Sequence, residues 1–319
     1  MNIKLKDLLQ MKAKELSLTP ITKPVTLNNE ISSKYISRPG LALAGFFERF
    51  AYKRVQILGE TEISYMQSMK DEDLYDRLKE VLIYDIPCFI VTKGLSVPKQ
   101  MVFLAEEMKI AILKSALTTD KFFHLLRNYL EDHFAPTRTV HGTMIDVYGV
   151  GLLLTGKSGI GKSECALDLV ERGHRIITDD AVKIKLAGEN LIALPTNDFG
   201  HFMEIRGVGL IDVEKMFGIQ AVGLEKQIDV QLELMPWQDN MDYERIGLSD
   251  NYVDILGVKK PIIYLPISPG KNVSVIIEVV AMNYILKTFG YDAAKVYTDK
   301  LQSELLKKTA LRKKQISKN

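Results

Sequence analysis

The stretch Gly156-Lys157-Ser158-Gly159-Ile160-Gly161-Lys162-Ser163 follows the apolar run Val150-Gly151-Leu152-Leu153-Leu154 and precedes a helical pattern that starts near Glu164. A G-x-x-x-x-G-K-[ST] spacing between a strand and a helix is a Walker A loop, which makes the surrounding domain an α/β domain of the P-loop kind. Gly156, Gly159 and Gly161 allow backbone angles and close approach that a Cβ would block. The amides of the loop, those of Lys157, Ser158 and Ile160 included, can then point inward at phosphate oxygens, with helix N-terminal amides adding to the nest. Lys162 would place its ammonium on the β- and γ-phosphates of a bound nucleotide, and the Ser163 hydroxyl would sit on a Mg²⁺ ion that carries the same phosphates. A bare Gly/Ser turn would require neither the Lys-Ser pair nor the buried strand in front of it.

Beyond the loop's helix, Gly173 is placed as a C-cap, and the short strand Arg175-Ile176-Ile177-Thr178 runs into Asp179-Asp180. In a parallel α/β sheet ligands lie outside the carboxyl ends of the strands, which sets these carboxylates beside the phosphates. One can hold Mg²⁺ through water and the other can accept a proton from an attacking hydroxyl; a simple turn is the alternative. Further on, Met203-Glu204-Ile205-Arg206-Gly207-Val208-Gly209-Leu210-Ile211-Asp212-Val213 joins an acid, a base and two glycines. Glu204 can ligate the metal from the side opposite Ser163, and Arg206 can neutralise charge on a transferred phosphoryl group, although Gly-x-Gly before a strand is often just a bend. His141, in a loop one strand upstream of the Walker loop, can bond the γ-phosphate, tune the neighbouring acid, or simply face solvent. Arg245 and the segment Pro266-Ile267-Ser268-Pro269-Gly270-Lys271 carry loop cations of the same mixed status.

A chain of 319 residues, 46% hydrophobic, has room for two domains with substantial cores. The formal net charge of +2 gives no whole-molecule field for nucleic acid, and no nucleic-acid or membrane partner is expected. Cys88 and Cys165 have neither metal-site nor disulfide spacing, the first residues lack the apolar core of a signal peptide, and no stretch reaches membrane-span length. A cytoplasmic protein is the expectation. Residues 1–134 alternate helix and strand: an amphipathic helix over 3–17, strands at 54–59, 88–92 and 110–113, and helices over 70–82, 99–108 and 119–133. That alternation implies an open α/β domain, whose side chains point to no chemistry. The polar segment 135–143, with Pro136, marks the boundary to a second domain over 135–319. There the spacing predicts strands at 175–177, 182–186 and 228–234, the last strictly alternating, and a buried helix over 274–286. A basic amphipathic helix from 293 serves either packing or a partner.

Together these residues resemble one family closely, the bifunctional HPr kinase/phosphorylases. Ile36-Ser37-Arg38-Pro39-Gly40-Leu41, Arg54-Val55-Gln56-Ile57-Leu58-Gly59, Ile90-Val91-Thr92-Lys93-Gly94, Val140-His141-Gly142, the Walker loop, Glu171-Arg172-Gly173-His174-Arg175 with Asp179-Asp180, and Glu204-Ile205-Arg206-Gly207 all look like that family's blocks, in order. The resemblance implies phosphorylation of a seryl hydroxyl of the phosphocarrier protein HPr with ATP, or with pyrophosphate as the alternative donor, and removal of that phosphate by inorganic phosphate, yielding pyrophosphate. It also implies a carboxy-terminal P-loop domain similar to phosphoenolpyruvate carboxykinase, an amino-terminal domain similar to one from a muramyl-peptide ligase, and a homohexamer. Carried onto this sequence, the family's pattern makes His141 and Lys162 active-site residues. It makes Asp180 the proton acceptor with Asp179 beside it, and Ser163 and Glu204 the ligands of Mg²⁺ (or Mn²⁺). Arg245 matches an active-site arginine, and Pro266 to Lys271 match a segment tied to dephosphorylation.

Two departures from the family's pattern stand out. Lys157 takes a place where Asp is common, and Ser268-Pro269-Gly270-Lys271 replaces an Arg-Pro-Gly-Arg sequence, so one cation is lost and another loses its bidentate fork. Weaker phosphorolysis than the family norm is expected. The competing readings are a small-molecule kinase or carboxykinase-like enzyme on the same domain, separated by acceptor preference, and a non-catalytic nucleotide sensor, which would not need Asp179-Asp180 and Glu204.

Overall fold

A computed structural model describes residues 2–196, 200–238, 251–268 and 270–316, with side chains described as far as residue 306. The chain divides into two compact units, Met1–Ala135 and Pro136–Asn319. In the first, β1 (Ile3–Lys4) leads into α1 (Leu5–Leu16), followed by β2 (Leu18–Pro20), β3 (Glu30–Ile31), β4 (Ile36–Ser37), α2 (Gly40–Leu43) and β5 (Val55–Leu58). The unit continues with α3 (Glu60–Ser68), α4 (Asp71–Leu82), β6 (Cys88–Val91), α5 (Lys99–Glu107), β7 (Ala111–Ser115) and α6 (Thr119–His133). The main sheet has the order β2-β7-β6-β5-β4, parallel throughout except for β2. Helices cover both faces: Ile63, Met66, Leu78 and Leu104 pack on Leu58, Phe89 and Val91, while Leu8, Phe122 and Leu126 pack on Ile57, Ile90 and Leu113. Burial from both sides is why these strands are apolar without interruption. The sequence pattern did not announce α3. Its start is fixed by Glu62, whose carboxylate accepts the Gly59 N–H at 2.9 Å and a two-pronged bond from Arg38 at 3.1 and 2.8 Å.

The second unit holds β8 (Thr137–His141), β9 (Thr143–Val147), β10 (Val150–Gly156), α7 (Lys162–Glu171), β11 (Arg175–Thr178), β12 (Ala181–Ala187) and β13 (Asn190–Pro195). Then come β14 (Phe202–Ile205), β15 (Gly209–Asp212), α8 (Val213–Phe217), β16 (Lys226–Gln227), β17 (Val230–Pro236), β18 (Tyr252–Ile255), β19 (Val258–Ile267), α9 (Val273–Thr288) and α10 (Ala293–Ile316). A six-stranded sheet, β11-β9-β10-β17-β19-β18, packs α7 and α9 on one face and a four-stranded sheet, β16-β13-β12-β8, on the other. The first interface joins Leu152, Leu154, Val230 and Leu232 to Ala166, Leu169 and Ile277; the second joins Met144, Leu153 and Ile177 to Val182, Ile184 and Leu191.

Three expectations are corrected. The sheet around the Walker loop is mixed, because β9 lies antiparallel between β10 and β11. The cause is local: Tyr148 and Gly149 both have positive φ, 54° and 85°, and this two-residue turn folds β9 straight back on β10. Two reversals still leave β11 running the same way as β10, β17 and β19, so their carboxyl ends share one side. His141 is the last residue of strand β8, not part of a loop. The helix predicted as buried, α9, is covered on one face only: Ser274, Ile277 and Ala281 are buried, whereas Val275, Val279, Met282 and Leu286 are exposed. Among the described residues no single helix is long and apolar enough to cross a membrane.

Candidate active site

The nucleotide loop springs from the end of β10. Gly156, Gly159 and Gly161 have φ of 138°, 76° and 102°, and Gly161 is the N-cap of α7. A Cβ on Gly156 would stand 2.4 Å from the Leu234 carbonyl oxygen of the neighbouring strand, so the position admits no larger residue. Lys162 is buried, and its Nζ donates to the carbonyls of Gly156 at 3.1 Å and Lys157 at 3.2 Å, closing the loop on itself. Ser163 follows on the first turn of α7. Cys165, on the same helix, has its thiol pushed up to about 11 by burial first and by Glu164 and Asp168 second, which keeps it unreactive.

The β14–β15 hairpin supplies the next pair. Met203 is buried in the core that holds α7, so strand alternation turns Glu204 outward. The hairpin turn then carries Arg206, whose guanidinium lies 3.3 Å from where a Cβ on Gly159 would be. The structure therefore brings Arg206 onto the Walker loop.

On the opposite flank, pairing of β12 with β8 sets Ala181 across from His141 and so places His141 beside Asp180. His141 Nδ1 is 3.1 Å from Asp180 Oδ1; because a carboxylate only accepts, Nδ1 carries the proton in this contact. The Gly142 N–H donates to the Asp180 carbonyl at 3.0 Å, and Thr143 Oγ1 donates to Asp179 Oδ1 at 2.5 Å. Asp180 has a φ of 65°, in the left-handed region, and its side chain is 81% exposed, turned to solvent rather than into the apolar interior. Gly142 locks this corner against β10, since a Cβ there would lie 2.5 Å from the Leu154 oxygen.

Sequence reasoning assigned no role to Gly142 or Thr143, and passed over Thr155, which lies next to Gly142. The available signal was adjacency: Gly142 and Thr143 follow His141 directly, and Thr155 precedes Gly156. Arg245 and Pro269 lie outside the described residues. Of the cations near the latter, Lys271 places Nζ 4.6 Å from the centre of the Trp237 ring, and its N–H bonds the Ser268 carbonyl at 3.3 Å. Among the described residues no group of three or more His, Cys, Asp or Glu side chains could hold a metal ion by itself. A hydroxyl at Ser163 and an outward carboxylate at Glu204 fit a Mg²⁺-like ion held largely by substrate phosphates, which needs only one or two protein ligands.

A glycine-built phosphate loop with a buried lysine, an arginine laid over it, and a histidine-paired aspartate at the same edge of the sheet define a P-loop phosphotransferase. Family models match most of the chain: residues 3–130 match the HPr Serine kinase N terminus and residues 132–301 the HPr Serine kinase C-terminal domain. The chain belongs to the HPr kinase/phosphorylase family. It is 46% identical over 277 residues to the HPr kinase/phosphorylase of Chloroherpeton thalassium, covering 86% of this chain and 82% of that one. With the enzyme of the same name from Alkaliphilus metalliredigens it shares 42% over 280 residues, covering 88% and 91%. The solved structure of the Hpr(Ser) kinase/phosphatase from Coxiella burnetii aligns with a TM-score of 0.45 at 33% identity, covering 50% of this chain and 98% of that one.

Proposed function

We propose that this protein transfers the γ-phosphoryl group of ATP to a seryl residue of the phosphocarrier protein HPr and, in reverse, removes it with inorganic phosphate to give pyrophosphate, in the regulation of carbon metabolism. The observation that carries this reading is the His141–Asp180 pair, tied by Gly142 to the strand that ends in the Walker loop. A site that only senses nucleotide has no use for an exposed carboxylate there. The amides from Gly156 to Ser163 bind the phosphates, and Lys162 leaves its loop carbonyls to meet them. Ser163 and Glu204 would hold a divalent ion, Mg²⁺ or Mn²⁺, whose charge would offset that of the phosphates. Arg206, and Arg245 by its match to the family's pattern, neutralise charge on the group in flight.

Asp180 accepts the seryl proton as the oxygen attacks the γ-phosphorus, while the contact to His141 Nδ1 orients the carboxylate; Thr143 holds Asp179 in place beside it. In reverse, phosphate attacks the phosphorus of phosphoseryl-HPr, the P–O bond to serine breaks, and Asp180 returns the proton to the leaving oxygen. The finer features proposed are a homohexamer, a cytoplasmic location, an amino-terminal domain over 1–134 similar to that of a muramyl-peptide ligase, and a catalytic domain over 135–319 similar to phosphoenolpyruvate carboxykinase. The test is transfer from γ-labelled ATP to HPr with Mg²⁺, then release on adding phosphate. Asp180→Asn is expected to bind ATP normally and to lose about 10²–10⁴-fold of transfer in both directions. Full activity in that variant would remove the mechanism, and transfer to free serine but not to HPr would favour a small-molecule kinase.

A further inference from the structure

The strand beside the Walker strand carries a carboxylate with no role in the mechanism above. On β17, Val230, Leu232 and Leu234 are buried under α7 and α9, and the residues between them, Gln231 and Glu233, face the other way. Parallel pairing sets Thr155 across from Glu233 and Gly156 across from Leu234. The Thr155 hydroxyl donates to Glu233 Oε2 and accepts from Gln231 Nε2 at 2.9 Å. The hydroxyl has one proton and two acceptors in reach, the Leu232 carbonyl at 3.3 Å and the nearer Glu233 carboxylate; the shorter, charge-assisted bond to the carboxylate takes the proton. β17 is a central strand, flanked by β10 and β19, and Glu233 is half-buried there, where strand packing alone favours a β-branched or aromatic residue.

Thr155 joins the two halves of the site. The next residue, Gly156, presents the carbonyl that receives Lys162. On the other side, a Cβ on Gly142 would lie 3.5 Å from Thr155 Cγ2, and Gly142 in turn carries the bond to Asp180. We propose that Glu233 is a positioning residue of the nucleotide site, its carboxylate fixing the Thr155 hydroxyl and hence the strand end from which the phosphate loop starts. This rests on the Walker loop binding ATP, as proposed above.

The experiment is a double-mutant cycle on ATP affinity, measured by titration calorimetry on the full chain, with melting temperature followed in parallel. Glu233→Ala and Thr155→Val are each expected to raise the Kd for ATP about tenfold, a difference of about 1.4 kcal/mol. The double variant should be no weaker than the worse single one. Glu233→Gln, which keeps an oxygen to accept the bond, and Thr155→Ser, which keeps the hydroxyl, should stay within about threefold of the unaltered protein. A structural role alone would lower the melting temperature without this pattern of rescue. Unchanged affinity in Glu233→Ala, multiplying effects in the double variant, or a Gln variant as weak as the Ala variant overturns the proposal. If Glu233→Ala does not fold, Thr155→Val against Thr155→Ser decides it: equal affinities overturn it and a tenfold gap supports it. Failure of the unaltered protein to bind ATP removes the underlying function together with this inference, whereas normal binding with silent variants removes the inference alone.

Discussion

Gly142→Ala adds one methyl group where the structure has no room for it. The new Cβ would stand 2.5 Å from the Leu154 oxygen, about 0.9 Å inside the 3.4 Å at which ordinary contact begins. That oxygen belongs to β10, paired with β9 on one side and β17 on the other, so it cannot turn away. The corner between β8 and β9 must retreat instead. Because the Gly142 N–H holds the Asp180 carbonyl and His141 is the preceding residue, the proposed proton acceptor and its partner retreat with it. A displacement of about 1 Å at a reacting group costs about 10²-fold in rate, and overpacking of this kind destabilises by about 1–3 kcal/mol. The φ of Gly142 lies outside the left-handed region, so the effect is steric and not conformational. The expected result is an ATP Kd within about threefold of the unaltered protein and a single-turnover transfer to HPr slower by about 10²-fold. A folded variant that transfers at the full rate would falsify the coupling of this corner to the chemistry, as would parallel loss of ATP binding and transfer.

Two further outcomes follow from other parts of the second unit. Ser268→Arg restores a cation beside the Lys271–Trp237 contact, and phosphorolysis of phosphoseryl-HPr is expected to rise with a lower phosphate requirement; an unchanged rate and phosphate dependence would refute the assignment of weak phosphate handling to this loop. Glu278 is almost buried and is bonded by His174 at 3.0 Å, Arg172 at 3.4 Å and Tyr148 at 3.4 Å, linking α9 to the end of α7. Glu278→Ala leaves these groups without this acceptor, with an expected loss of about 2 kcal/mol and about 4–8 °C in the melting temperature, and a smaller loss for Glu278→Gln, whose oxygen keeps the His174 and Tyr148 bonds while its amide nitrogen cannot accept from Arg172. Equal melting temperatures for the Ala variant and the unaltered protein would show that the cluster contributes nothing.

The Walker loop was legible because its three glycines and its Lys162-Ser163 pair each have a chemical reason to be there, and Asp179-Asp180 because a strand had to deliver them to the same edge. In the first unit, the run Cys88-Phe89-Ile90-Val91, bounded by Pro87 and Gly94, is typical of a strand buried on both faces. What stayed hidden depends on distance in sequence. The insertion of β9 rests on two residues with positive φ, Tyr148 and Gly149, and Tyr148 is not a residue that advertises such a turn. α9 is mostly apolar with no single polar face, and composition cannot say that only one side is covered. Glu233 sits in a strictly alternating strand, where every second residue reads as facing water; its bond to Thr155, 78 residues away, exists only once β10 and β17 pair. α3 begins at a glycine, which has no side chain to cap it, so only the Glu62 carboxylate, three residues on, could mark its start by accepting the Gly59 N–H.

The left-handed backbone at Asp180 makes that position unusually informative to mutate. Aspartate, asparagine and glycine accept such a φ with little penalty, whereas other side chains cost about 1–2 kcal/mol. Saturating the site would thus separate asparagine and glycine, which remove the carboxylate on an undisturbed chain, from glutamate, which keeps a carboxylate but strains the main chain, and from the remaining side chains, which do both kinds of damage. The gap in activity between Asn and Glu there would report how finely the proton acceptor has to be aimed.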